Sequence, residues 1–456
     1  MATVVLIPGI LCIIALLWGR TTNAFLNVFL PVLLVLPTSY YWTWRPLPYI
    51  GFMEATLVPL GVGLVLMDIF RWKVSRVDLW MLIFVFTSGY AEYTRGETTG
   101  SIMSLFTALT NGLVPYIAGK LLAEQPGIRL AVVRRYLWLL LPVCLLAMVQ
   151  FFTKSNAFQR LWVRFFPDEW YALATQTREG FGRLGGPYFG AEQAGMVILI
   201  GLTLAIWLKY NKDWLSKYGG RSFLLLSKRA KFVIFVLTIA LIMTQSRGPW
   251  IGAIFSVGIA SIGTAKKPLQ RVVVLIALIL LVGVPGYIAG KDYASGPRKG
   301  YTDSEKETAQ YRAQLIDNYI PLAKLGGAWG WGPLFPKIGG QTSIDNEYLF
   351  VWLVQGYVGL FAFILILLET SISLIRLGIK AKSKHDRSFV FSLLGVIFGL
   401  ALTLATVFLG PPNYNIFFLL IGWCQSIRLS HVDKLEDPEA ESYQVETESN
   451  LIRVYT

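Results

Sequence analysis

Charge is scarce in this sequence. Asp, Glu, Lys and Arg make up only 15% of the 456 residues, against 55% hydrophobic. A soluble protein of this length would need more charge to cover its surface. Histidine is nearly absent. His385 and His431 lie in basic or polar segments, which argues against a His-rich metal centre. Cys12, Cys144 and Cys424 sit far apart inside apolar runs. They read as small buried hydrophobes, not as a disulfide framework or metal site. The apolar runs lack period-two alternation, which favours helices over a transmembrane β-barrel. Met1 to Trp18 has no charged n-region and no small-residue cleavage site, so a retained helix is expected, not a signal peptide. No inverted repeat is visible.

What is present is a series of apolar runs of ~15–25 residues between short charged loops. The expected fold is therefore an all-α polytopic membrane protein with roughly a dozen spans, or thirteen if the first run is complete. Pro31 and Pro37 fall in the second run, which predicts a kinked span. The formal charge of +14 does not form one patch. Lys and Arg recur in every second loop, as at 71–76, 129–135, 209–231, 265–271 and 376–387. That is the positive-inside pattern, and it argues against a nucleic-acid partner. The segment 1–430 is expected to be one membrane domain with a cytoplasmic C-terminus. A polar loop, 290–343, is expected on the opposite side, and 431–456 is an acidic tail of disordered composition.

Polar residues gather at the ends of runs on the non-basic side. The loop 153–187 carries Arg160, Arg164, Arg178 and Arg183 among aromatic residues. Two readings stand for them: pairing with lipid phosphates at an interface, or a site for an anionic ligand. Arg247 lies in a tight turn between two apolar runs, followed by Gly248 and Pro249. It either snorkels to headgroups or clasps a phosphate bidentately. Glu192, at the mouth of its run, is either paired or functional. Tyr311, Leu315 and Tyr319 recur at helical spacing, so 305–324 is expected to be an amphipathic helix on the membrane. Trp329, Trp331 and Phe335 suit either an interfacial belt or stacking on sugar rings. Asp345 precedes an apolar run and suits either a helix N-cap or a general base.

SerArgGlyProTrpIleGly at 246–252, between two runs, resembles the hallmark of the O-antigen ligase and Wzy-type polysaccharide polymerase superfamily. Tyr311-Arg312, followed by TrpGlyTrpGlyPro at 329–333, resembles the extracytoplasmic loop of that family. GlyArgLeuGlyGlyPro at 182–187 is similar to its arginine-and-glycine segment. Asp345-Asn346 with Gly356 and Gly359 has the spacing of the ligase motif, except that Asp345 stands at the ligase histidine position. The resemblance covers roughly 180–430.

The resemblance implies a fold similar to the C-type membrane glycosyltransferases. It implies an undecaprenyl-diphosphate-linked glycan donor, a glycan acceptor, no nucleotide donor and no required metal or other cofactor. Transfer would occur on the periplasmic face of the bacterial inner membrane. Arginines would stabilise the leaving diphosphate in the absence of a metal: Arg183, Arg247 and Arg312 match family segments, with Arg178 and Arg298 nearby. Asp345 would serve as general base toward the acceptor hydroxyl. Its place at the histidine position favours a polymerase of O-antigen or exopolysaccharide repeats, working beside a chain-length regulator. The alternatives are a ligase acting on lipid A-core and, from another class, a transporter or flippase of lipid-linked glycans. The clustering of polar residues at one face favours surface chemistry over transport.

Overall fold

The computed structural model describes residues 2–43, 48–169, 171–211, 230–283, 304–339, 341, 343–410 and 412–427, with the isolated positions 288 and 293. Arg298, most of 284–303 and the tail 431–456 lie outside the described residues. Among the described residues, each apolar run expected from the sequence contains a helix. The described strands are two-residue hairpin pairs only. Thr98–Leu122, Ile128–Thr153, Ala191–Asn211, Glu347–Lys380 and Lys384–Leu404 are five helices long and apolar enough to cross a membrane. Shorter apolar helices accompany them: Thr3–Trp18, Thr21–Val35, Phe52–Met67, Ala230–Met243 and Pro268–Leu281. The fold is that of an all-α polytopic membrane protein.

The expected proline kink takes a specific form. Residues Phe25–Phe29 form a π turn one step before Pro31, and Leu109–Leu113 form another just before Pro115. Proline removes an N–H and crowds the preceding turn, and a wider turn accommodates both.

Close helix pairing depends on small residues. Helix Arg247–Thr264 lies along Lys384–Leu404 with Gly252 and Ser256 facing Gly395 and Gly399. A Cβ on Gly252 would stand 2.5 Å from the Gly399 carbonyl oxygen. Such contacts substitute for the hydrophobic drive that helix association lacks in lipid. At the end of the bundle away from this contact's Arg247, charges are buried but paired. Lys120 Nζ lies 2.6 Å from Asp78, and Arg129 bridges Glu124 and Asp386.

Helix Glu347–Lys380 is not continuous. Gly356 has φ 69° and ψ −164°, a region essentially reserved for glycine. The break frees the Leu353 and Val354 carbonyls and the Tyr357 and Val358 amides, which would otherwise have bonded to each other. The glycine-rich loop 326–332 satisfies all of these groups. Trp331 and Gly332 donate N–H to Leu353 O (2.7 Å) and Val354 O (3.0 Å). Tyr357 and Val358 donate to Gly327 O (3.2 Å) and Ala328 O (3.1 Å). Gly330, at φ 77°, permits the approach, since a Cβ there would lie 2.5 Å from Gly356 N.

The loop helix Ser304–Leu325 follows from this docking. Its side chains are described from Ala309 onward. Leu315, Tyr319 and Ala323 are fully buried against Leu349, Leu353 and Val354. The apolar stripe therefore covers the first half of the broken helix, a protein partner where a lipid surface was expected.

Gly356→Ala should be destabilising by about 1–3 kcal/mol from backbone strain alone, with more from the clash of its Cβ with the Ala328 carbonyl. Thermal unfolding of the purified protein in detergent should show a lowered Tm. Limited proteolysis should cut first near 326–332.

Candidate active site

The turn at 246–252 is a joint between helices, and each residue type in it has a packing reason. Trp250 Nε1 donates to Leu241 O (2.7 Å), tying the new helix to the end of the one before. Pro249 occupies the first turn of helix Arg247–Thr264, where no N–H is required, and packs on Gly195. Gly248 lies against Thr406 too closely for a side chain, and Gly252 seats the Gly399 contact. Arg247 is thereby fixed at the helix start, with its side chain exposed.

Arg178 and Arg183 arrive on a short hairpin. Thr177–Arg178 pairs with Phe181–Gly182 across Glu179 and Gly180, both at positive φ. That is the turn chemistry of a tight two-residue hairpin. Arg183 is buried and bound on several sides. Its Nε donates to Thr244 O (3.1 Å), Nη1 to Gln176 Oε1 (2.7 Å) and Nη2 to Ser246 Oγ (2.7 Å), and Nη2 lies 2.6 Å from Glu192 Oε1. Glu192 is thus paired, and Arg183 is set chiefly by protein contacts. Arg178 Nη1 donates to Gln245 O (3.0 Å).

Helix Ser304–Leu325 supplies the fourth guanidinium. Arg178, Arg183, Arg247 and Arg312 line one cleft of about 60 Å³ with Glu192, Gln245, Ser246 and Gly248. These arginines span more than a hundred positions in sequence, yet they converge at one end of the bundle. Arg312 Nε is buried with no hydrogen-bond partner in the protein. Burial holds the Arg312 guanidinium below the ordinary arginine pKa. Asp345 and Glu192 draw it up, and the positive charges of Arg183 and Arg247 push it down further. A cleft of crowded donors with an orphaned N–H is suited to a polyanion.

Asp345 is outside the cleft lining but within electrostatic range of Arg312. Its Oδ1 accepts from Ser343 Oγ (2.9 Å). The N-cap reading of Asp345 is corrected. Asn346 is the cap, its Oδ1 accepting from Leu349 N (3.0 Å) while its Nδ2 donates to Ala405 O (3.0 Å).

Trp329 and Trp331 are brought together elsewhere. Trp329 meets Tyr90 edge-on at 4.7 Å, and the Arg95 guanidinium lies over Trp331 at 4.2 Å. Neither lines the arginine cleft. A second cavity of about 330 Å³ has a wall half made of aromatic residues, Phe189, Tyr319, Phe335, Phe350 and Phe408. Val407 lines the cleft and Phe408 this cavity, so the two spaces adjoin. Phe335 is one of the stacking candidates expected from the sequence and Tyr319 belongs to the helical stripe, whereas Phe189, Phe350 and Phe408 come from separate segments that no local pattern announced. Gln245, beside the recognised SerArgGlyPro turn, was likewise passed over, although its position there was the available signal. Among the described residues no group of His, Cys, Asp and Glu side chains is arranged to hold a metal ion.

Residues 232–364 match the family model described as O-Antigen ligase. The matched segment contains Arg247, Arg312, Asp345 and the break at Gly356. No curated protein matches the chain.

The capping assignment separates two neighbouring residues. Asn346→Ala should cost about 1 kcal/mol in thermal unfolding, and Asp345→Ala should stay within about 0.5 kcal/mol of wild type. A larger loss in Asp345→Ala than in Asn346→Ala would return the cap to Asp345.

Proposed function

We propose, from the match of residues 232–364 to the family model described as O-Antigen ligase, that the chain is a member of the O-antigen ligase/Wzy superfamily and transfers a glycan from a lipid diphosphate to an acceptor sugar. The observation that carries this is the convergence of Arg178, Arg183, Arg247 and Arg312 on one cleft. A departing lipid diphosphate gains negative charge in the transition state, and preorganised donors lower the barrier most where charge grows. Arg247 and Arg312 contact the diphosphate. Arg183, held by Gln176, Thr244, Ser246 and Glu192, positions the turn that presents Arg247. The acceptor hydroxyl attacks the anomeric carbon as the bond to the diphosphate oxygen breaks. The bonding pair leaves with the diphosphate, and the hydroxyl proton passes to the Asp345 carboxylate. The adjoining aromatic cavity offers ring faces to sugars beside the cleft.

Asp345 at the ligase histidine position favours a polymerase that joins undecaprenyl-diphosphate-linked repeats, with a chain-length regulator as a partner. The family description favours the second reading, a ligase that attaches finished glycan to another acceptor such as lipid A-core. We place the cleft on the periplasmic face of the inner membrane, because basic residues concentrate at the other helix ends.

Lysine keeps the charge of Arg247 but not its planar fork. Arg247→Lys should therefore lower glycan transfer from a defined lipid-diphosphate donor by ~10²–10³, with membrane level and Tm unchanged. Wild-type transfer in that variant would reject bidentate recognition.

Sidedness has its own test. The native cysteines are buried, so introduced ones report cleanly. An impermeant thiol reagent should label Ser343→Cys and spare Lys382→Cys in intact cells. The reverse pattern would put the cleft in the cytoplasm.

A further inference from the structure

Gln245 occupies an unfavourable backbone conformation inside the arginine cleft. Its φ is 50°, in the left-handed region that non-glycine residues adopt at a cost. The surrounding structure imposes this geometry. Its N–H donates to Ile242 O (3.0 Å), and its carbonyl accepts from Arg178 Nη1 (3.0 Å). Its side-chain Nε2 donates to the Arg178 carbonyl (3.4 Å). The amide is thereby oriented, and its Oε1 is left buried with no partner in the protein. Strain of this kind persists where the fold over-determines it, and it concentrates at binding and catalytic sites.

The orphaned atom is an acceptor in a cleft with four guanidiniums, whose one carboxylate, Glu192, is paired with Arg183. A diphosphate presents only oxygen lone pairs, so it can satisfy Arg312 Nε but would repel Gln245 Oε1. Only a ligand group that carries hydrogen can pair with it. In the donor proposed above, the group next to the diphosphate is the first sugar. Its C2 carries a hydroxyl or an acetamido N–H.

We propose that Gln245 is a specificity-determining residue that accepts a hydrogen bond from the C2 substituent of the sugar attached to the diphosphate. This rests on the lipid-diphosphate reading. It selects among glycan donors by the first sugar, separately from recognition of the diphosphate by the arginines. A site built around a substrate hydroxyl or N–H discriminates strongly against an analogue that lacks it, because the acceptor is then left buried and unpaired.

The test crosses two ligands with the full-length protein and its variants. The probes are prenyl-diphosphate-linked glucose and its 2-deoxy analogue, with binding measured by calorimetry in detergent. Wild type should bind the glucose compound about tenfold or more tightly than the 2-deoxy compound. Gln245→Gly should bind the two equally. Its Tm should be at or above wild type, because glycine adopts this φ without strain. Gln245→Asn tolerates the same backbone but carries its amide one methylene short, so it should also fail to discriminate. A merely structural role for Gln245 predicts that discrimination survives in both variants, and that result would overturn the proposal. Equal binding of both probes by wild type would overturn this proposal alone. Binding of neither probe by wild type would overturn the lipid-diphosphate reading and this proposal with it.

Discussion

The break in helix Glu347–Lys380 at Gly356 is the constraint on which the site depends. A helix interrupted within a membrane protein exposes backbone groups that lipid cannot satisfy. Here the loop 326–332 restores all four bonds reciprocally, using its own amides and carbonyls. The loop can come no nearer or farther without losing them. This anchors the end of helix Ser304–Leu325, and hence Arg312, relative to Asp345 at the start of the broken helix. The glycines on both sides permit two backbones to meet where side chains would keep them apart.

The other half of the site rests on a different physical device. Arg247 is placed by close packing of helix Arg247–Thr264 on Lys384–Leu404 through glycine and serine, and by the ties of Trp250 and Pro249 to neighbouring helices. Arg178 and Arg183 come on a hairpin whose side chains bond into the same turn. Two independently anchored units thus face each other across the cleft. The fold brings their guanidiniums together against mutual repulsion, offset in part by Glu192 and Asp345. An anionic ligand relieves that repulsion, so the site favours binding at the cost of some stability when empty.

Much was legible locally. Hydropathy alone marked the apolar runs that became helices, because a run in lipid satisfies its backbone within its own segment; the break at Gly356, whose bonds come from loop 326–332, departs from that rule. The tight turn around Arg247 and the glycine spacing at 356 and 359 were also readable, since both reflect short-range geometry. Less was legible where the partner lay far off in sequence. The stripe of Leu315 and Tyr319 showed that a helix had an apolar face, but not that Leu353 and Val354 would cover it in place of lipid. Asp345 and Asn346 are equally good caps by type, and only the path of the chain chose Asn346.

The sequence by itself determined an all-α membrane protein, the approximate positions of its apolar helices, and the residue types available near their ends. These follow from backbone hydrogen bonding and hydrophobicity, which act over a few neighbouring residues. Only the tertiary structure decided which arginines share a cleft, that Glu192 is taken by Arg183, and that the aromatic wall is built by Phe189, Phe350 and Phe408 while Trp329 and Trp331 pack away from it. It also decided that Gln245 is held at positive φ with an unpaired acceptor. Those outcomes depend on contacts between segments tens to hundreds of residues apart. Their energies come from packing and desolvation at the meeting point, which no single stretch of sequence contains.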